Sequence, residues 1–160
     1  MIVADTGPII AFARLGHLDL LRDVVGQLTI PHAVYEELVG QGSNRPGAAE
    51  VVAGGWILRR VVTNRTLIAE LPSVLHAGER EAIALAQELN AQLLIDEEQG
   101  RTIALSRGLS VIRSLRVLAD AKQRGRIAIV RPIVEELRAG GYWIDEDVIR
   151  SFLQEMGESP

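Results

Sequence analysis

The sequence predicts an α/β protein of three layers, an open, mainly parallel β-sheet covered by helices on both faces, with extra helices at the C-terminal end. Three observations point there. Short apolar runs bounded by turn residues alternate with longer segments of helical period. The first run, Ile2-Val3-Ala4, has no polar alternation, as a strand buried on both faces requires. A chain of 160 residues that is 48% hydrophobic is large enough to fill such a core.

The first strand has no room for a helical turn before Gly7-Pro8, and it ends on a carboxylate, Asp5. Ligands of open parallel sheets bind beyond the carboxyl ends of the strands, which is where Asp5 emerges. From Ile9 to Leu21 the apolar spacing predicts one helix, or two joined at Gly16. Leu28-Thr29-Ile30 reads as the second strand, and Pro31 suits the first position of a helix running to about Val39. Gln41 to Gly47 reads as a surface loop. Ala48 to Leu58 predicts a short helix and a strand containing Trp56, and Arg59 to Leu75 an irregular or edge segment. Glu79 to Asn90 is an amphipathic helix, followed by the strand Leu93-Leu94-Ile95, which also ends on acids, Asp96-Glu97-Glu98. Thr102 to Arg107, Leu109 to Ile112, Leu115 to Gln123 and Ile127 to Val130 continue as helix, strand, helix and strand. Pro132 opens a helix to about Ala139, and Asp145 is placed to cap a last one carrying Val148, Ile149, Phe152 and Leu153.

Composition narrows the function classes. There is no cysteine, which excludes disulfides and thiolate metal sites and fits a reducing compartment. No signal peptide or membrane-spanning run is readable, so a cytoplasmic protein with no membrane partner is expected. The net charge of −4 argues weakly against nucleic acid, yet the basic charge is localised. Arg101, Arg107, Arg113, Arg116, Lys122, Arg124, Arg126 and Arg131 face only Asp120, whereas the tail from Pro132 is acidic. His17, His32 and His76 show no metal-ligand spacing, and Trp56, Tyr142 and Trp143 read as packing residues.

The carboxylates carry the chemistry. Stepping about 100° per residue, Glu37 lies near the buried side set by Val34 and Leu38, while Glu36 points away. On the next amphipathic helix, Glu79 aligns with Ile83 and Ala86, and Glu81 with the exposed side. Asp96 and Glu97 alternate between faces, so only one can point wholly at a shared centre. Carboxylates about 4 Å apart repel by roughly 4 kcal/mol per pair at an effective dielectric near 20, so such a cluster needs protons or a cation. Oxygen ligands without cysteine or spaced histidine favour Mg²⁺ or Mn²⁺.

Four motifs in order resemble one family. D-T-G-P at Asp5, V-Y-E-E-L from Val34, G-E-R-E-A-I-A-L-A from Gly78 and L-L-I-D-E-E-Q-G-R from Leu93 resemble the PIN-domain ribonucleases, in the compact branch of VapC-like toxins and DUF3368-type proteins. The similarity spans about Ile2 to Val130, which divides the chain into a PIN-like nuclease domain, 1–131, and a helical extension packed on it, 132–160. The resemblance implies a metal-dependent endoribonuclease, the toxin of a toxin–antitoxin pair. It further implies Mg²⁺ or Mn²⁺ held by Asp5, Glu37, Glu79 and Asp96, with Glu81 and Glu97 as alternates, and a homodimer whose antitoxin inserts a basic side chain into the acidic cleft. For that chemistry Thr6 and Ser114 are candidate contacts to metal-bound water or phosphate, and Arg101, Arg113 and Arg116 candidate contacts to the RNA backbone. Gly7 stands where the family usually has serine, and Arg113-Ser114-Leu115-Arg116 replaces a segment usually richer in glycine and threonine. The alternative is a catalytically weak PIN-like module that binds RNA or regulates. A receiver domain and an aspartyl phosphatase fit less well, since the only lysine, Lys122, lies in a helix and Asp-x-Asp is absent at Asp5.

Overall fold

The computed structural model describes residues 1–40 and 44–159; Gln41, Gly42 and Ser43 of the expected loop, and Pro160, lie outside the described residues. Five strands, β1 (Ile2–Ala4), β2 (Leu28–Pro31), β3 (Ile57–Arg60), β4 (Gln92–Leu94) and β5 (Val111–Ile112), form one parallel sheet in the order β3-β2-β1-β4-β5. β1 is central, with Ile2 opposite Leu28 on one side and opposite Gln92 on the other. The chain winds outward through β2 and β3, then returns past β1 to lay down β4 and β5. The winding therefore reverses between β1 and β4, and the carboxyl ends of those two strands flank the crevice where a ligand of this fold class is expected.

Helices α1 (Thr6–Arg14), α2 (Leu18–Val25), α3 (His32–Val39), α4 (Ala48–Ala53), α5 (Arg65–Ala69), α6 (Ala77–Leu89), α7 (Glu98–Ser106), α8 (Ser114–Gln123), α9 (Arg131–Ala139) and α10 (Glu146–Glu155) complete the chain. Successive strand residues supply opposite layers, as the pleat requires. Val3, Leu93 and Ile95 join Ile83 and Leu85 of α6 in one buried cluster; Ala4 and Leu94 join Phe12, Leu118 and residues of α9 and α10 in the other. The predicted break at Gly16 is where α1 and α2 part, at a positive φ of 70° that glycine adopts without strain. Asp145 caps α10, accepting from the backbone N–H of Asp147 (2.9 Å) and Val148 (3.4 Å).

Three elements differ from the expectation. Ile127 to Val130 is not a strand, because its end is claimed by the C-terminus: the N–H groups of Val130 and Arg131 each donate to Glu158 at 3.0 Å and thereby start α9. Arg59 and Arg60 belong to the edge strand β3, which begins just after Trp56, and the segment beyond it contains α5, capped by Asn64. α7 begins at Glu98, earlier than Thr102, because the Glu97 carboxylate accepts from the N–H of Gly100 at 3.0 Å. Among the described residues no helix is long and apolar enough to cross a membrane.

Candidate active site

Beyond the carboxyl ends of β1 and β4 lies a cavity of about 710 Å³, and Asp5, Glu37, Glu79, Asp96 and Glu97 line it. The five acids arrive from four parts of the chain, Asp96 and Glu97 being neighbours after β4. Asp5 leaves β1 only 6% exposed, its N–H donating to the Leu94 carbonyl of β4 at 3.0 Å. Burial pushes its carboxyl up to about 7; Glu79, Glu37 and Asp96 add repulsion, and a hydrogen bond from the Thr6 backbone opposes the rise. Thr6, the first residue of α1, donates its hydroxyl to Glu37 Oε2 at 2.8 Å, joining the α1 and α3 contributions. Glu79, in the first turn of α6, accepts from the His76 N–H at 3.2 Å, a contact that both caps the helix and orients the acid. Burial raises its pKa, and the nearby Glu97 and Glu37 add to the shift.

Asp96 is held from two directions by one residue: Ser114, at the start of α8, donates its N–H to Oδ1 at 2.8 Å and its hydroxyl to Oδ2 at 2.5 Å. Burial still raises the Asp96 pKa against those bonds and against the positive charges of Arg113 and Arg101. Gly78 has a separate part. A Cβ there would lie 3.0 Å from Glu37 Oε2 and 3.6 Å from Asp5 Oδ1, so the missing side chain leaves open the gap that both oxygens face.

The chain matches DUF3368, described as a PIN domain, over residues 1–158. It belongs to the PIN-domain family. PIN domains are generally nucleases that use divalent metals. The match runs through α9 and α10, beyond the Ile2 to Val130 span that the motifs indicate. A PilT N-terminus domain protein from the hyperthermophilic archaeon Sulfolobus solfataricus P2 is similar in structure, with a TM-score of 0.57 at 18% identity, over 76% of this chain and 93% of that one. No curated protein matches the chain.

The cavity of this PIN domain sorts the remaining candidates. Glu81 is turned away: its Oε2 accepts from the Ala33 N–H at 2.7 Å, at the start of α3, and it does not line the cavity. Glu97 does line it, while also capping α7. Both donors of Ser114 are taken by Asp96, so Ser114 holds a carboxylate where a phosphate contact was expected. Arg101 and Arg113 line the cavity; Arg116 does not, and pairs with Asp120 of its own helix at 2.9 Å. Arg113 Nε is buried without a hydrogen-bond partner among the described residues, and burial together with Arg101 lowers the Arg113 pKa.

Sequence reasoning missed Arg45, His76 and Glu98, and the segment Tyr142 to Asp145 with Val148, all of which line the same cavity. Trp143, expected in packing, is 78% exposed. For Tyr142 to Asp145 and Val148 local pattern holds no signal, because they reach the cavity only through the docking of α9 and α10 onto the sheet; His76 and Glu98 are chain neighbours of Glu79 and Glu97.

The donors fit a hard divalent cation in kind: the carboxylates Glu37, Glu79, Asp96 and Glu97 share the cavity with buried Asp5, and His76 is the one imidazole on its wall. Among the described residues no three are gathered closely enough to hold an ion as they stand.

Proposed function

We propose that this PIN domain is a metal-dependent endoribonuclease. The observation that carries the reading is the convergence of Asp5, Glu37, Glu79 and Asp96, from four separate elements, on one cavity that also bears Arg101 and Arg113. Asp5, Glu37, Glu79 and Asp96 are the ligands for Mg²⁺ or Mn²⁺, with Glu97 as the alternate that faces the cavity. A bound divalent ion supplies a more acidic water and offsets the charge that builds on the phosphate and leaving oxygens.

The chain's own groups do the rest. The Thr6 hydroxyl ties Glu37 to the start of α1, and Ser114 fixes both oxygens of Asp96, so these two carboxylates are oriented by the protein itself. Arg113, whose Nε has no hydrogen-bond partner among the described residues, and Arg101, whose Nε donates to the Asp96 carbonyl at 3.3 Å, offer guanidinium N–H groups to the scissile phosphate and its neighbour. Water gives up a proton to a carboxylate or solvent as its oxygen bonds to phosphorus, the P–O bond to one ribose breaks, and the leaving oxygen takes a proton in return, so water is divided between the two products. RNA held this way binds more weakly as salt rises.

Titration of Mn²⁺ into wild type and Asp5→Asn, followed by cleavage of single-stranded and structured RNA, tests the reading. Metal binding and cleavage both present in wild type and both lost in the variant support it; cleavage undiminished in Asp5→Asn removes it. One observation favours a second reading, a weakly catalytic RNA-binding or regulatory module: among the described residues no three potential ligands are gathered to hold an ion. Metal binding without cleavage supports that module.

The finer role proposed is that of a cytoplasmic toxin, working as a homodimer and silenced by an antitoxin whose basic side chain enters the acidic cavity. Inhibition by an arginine-bearing peptide that competes with Mn²⁺, and a dimer in light scattering, are the expected results.

A further inference from the structure

The cavity is much larger than a cation needs, and part of its other lining is apolar. Tyr142, Trp143, Ile144 and Val148 bring apolar and aromatic surface to the same space as the carboxylates. Trp143 is 78% exposed, yet the chain that presents it is anchored on both sides. Before it, the Tyr142 N–H donates to the Leu137 carbonyl at 3.0 Å, and the Arg14 side chain donates to the Gly140 carbonyl at 3.4 Å. After it, Ile144 is 8% exposed in the core cluster, and Asp145 caps α10. An indole exposed at the tip of a pinned segment is displayed, whereas one exposed on a loose tail would be incidental. The Tyr142 hydroxyl is buried without a hydrogen-bond partner among the described residues, a donor and acceptor that a base edge can satisfy after a small shift.

Resting on the nuclease reading, we infer that Trp143, with Tyr142 beside it, forms a nucleobase-stacking subsite in the carboxylate cavity, so that the substrate is single-stranded RNA whose base next to the scissile phosphate leaves its stack for the indole. Bases offer a π-face whatever their identity, so an aromatic wall beside basic groups suits unpaired strands and tolerates sequence. Both hollows beside Trp143 are acidic, but their cations differ: Arg138 of the second is held by Glu146 at 3.0 Å, whereas Arg101 and Arg113 line the carboxylate cavity. A strand whose phosphate is held at those two arginines brings its base to the tryptophan wall of the same cavity. A duplex cannot do this without unpairing.

The test is anisotropy of a labelled short oligoadenylate, and of the same backbone with abasic positions throughout, titrated with full-length protein in an Asp5→Asn background. The base-bearing strand is expected to bind about fivefold or more tightly than the abasic one, a difference lost in Trp143→Ala, largely kept in Trp143→Phe, and unaffected by Trp56→Phe. Equal affinity for the two strands, equal binding by Trp143→Ala, or no binding to either overturns the inference; equal affinity would leave a peptide as the occupant of that wall. Cleavage by wild type is scored separately. Cleavage without base-dependent binding leaves the nuclease reading standing and this subsite gone, and base-dependent binding without cleavage does the reverse.

Discussion

The two linings of the cavity are built on opposite terms. The carboxylates sit at the ends of β1 and β4 and in α3 and α6, with Asp5 and Glu79 buried and Glu37, Glu79 and Asp96 each accepting a hydrogen bond from protein. The aromatic lining comes from the segment between α9 and α10 and leaves Trp143 open to solvent. Charge tied down by hydrogen bonds on one side, and an open aromatic wall on the other, is the division expected of a site that does chemistry at a fixed point on a variable strand.

The largest expected effect breaks the charged side. In Asp5→Asn, metal binding and cleavage fall to background while the fold persists, checked by calorimetry, cleavage assay and circular dichroism. Without cation the same variant is more stable than wild type at neutral pH by on the order of 2–4 kcal/mol, because it removes a buried charge. The pH dependence has a definite sign. Asp5 is raised from 3.8 to about 7, so between those values the folded chain holds a proton that the unfolded chain gives up, and stability falls as pH rises through that window. Thermal melts of metal-free wild type from pH 4 to pH 7 should decline and those of Asp5→Asn should be flatter; saturating Mn²⁺ should remove the decline.

Next in size is Ser114→Ala, which takes one of two donors from Asp96 and is expected to weaken Mn²⁺ binding by about tenfold or more with little change in fold. A smaller effect separates neighbours on α6. Glu79→Ala should weaken metal binding, while Glu81→Ala, which uncaps α3, should cost about 1 kcal/mol of stability and leave metal binding intact. The smallest pair lies among the arginines. Arg113→Ala should lower the salt slope of RNA binding by about one, and Arg116→Ala, already paired with Asp120 away from the cavity, should leave it unchanged.

Much of the charged side could be read locally. A buried strand that stops at Asp5, and a helical stripe that includes Glu37 and Glu79 and leaves out Glu36 and Glu81, follow from periods of two and 3.6 residues. Ile127 to Val130 misled for the same reason: its apolar run has strand composition, but Glu158, far away in sequence, takes its last N–H groups. α5 is hidden from the sequence because five residues are too short for a helical period to show, although its Leu67 and Ile68 pack, partly buried, against the core. Ser114 was noticed for its place at a helix start, yet which acceptor it would meet depended on how β4 and α8 pack.

By itself the sequence determined the parallel α/β class, the order of its elements, the inward choice of Glu37 and Glu79, and membership of the PIN family, all of which rest on local period and on motifs in series. Only the tertiary structure decided that Glu81 caps a helix, that Ser114 serves Asp96, that Arg116 lies outside, and that Trp143 shares the carboxylate cavity. The reason is distance along the chain. A period tells a side chain which face of its own element to take, whereas the partner on that face is chosen when elements tens of residues apart are packed together.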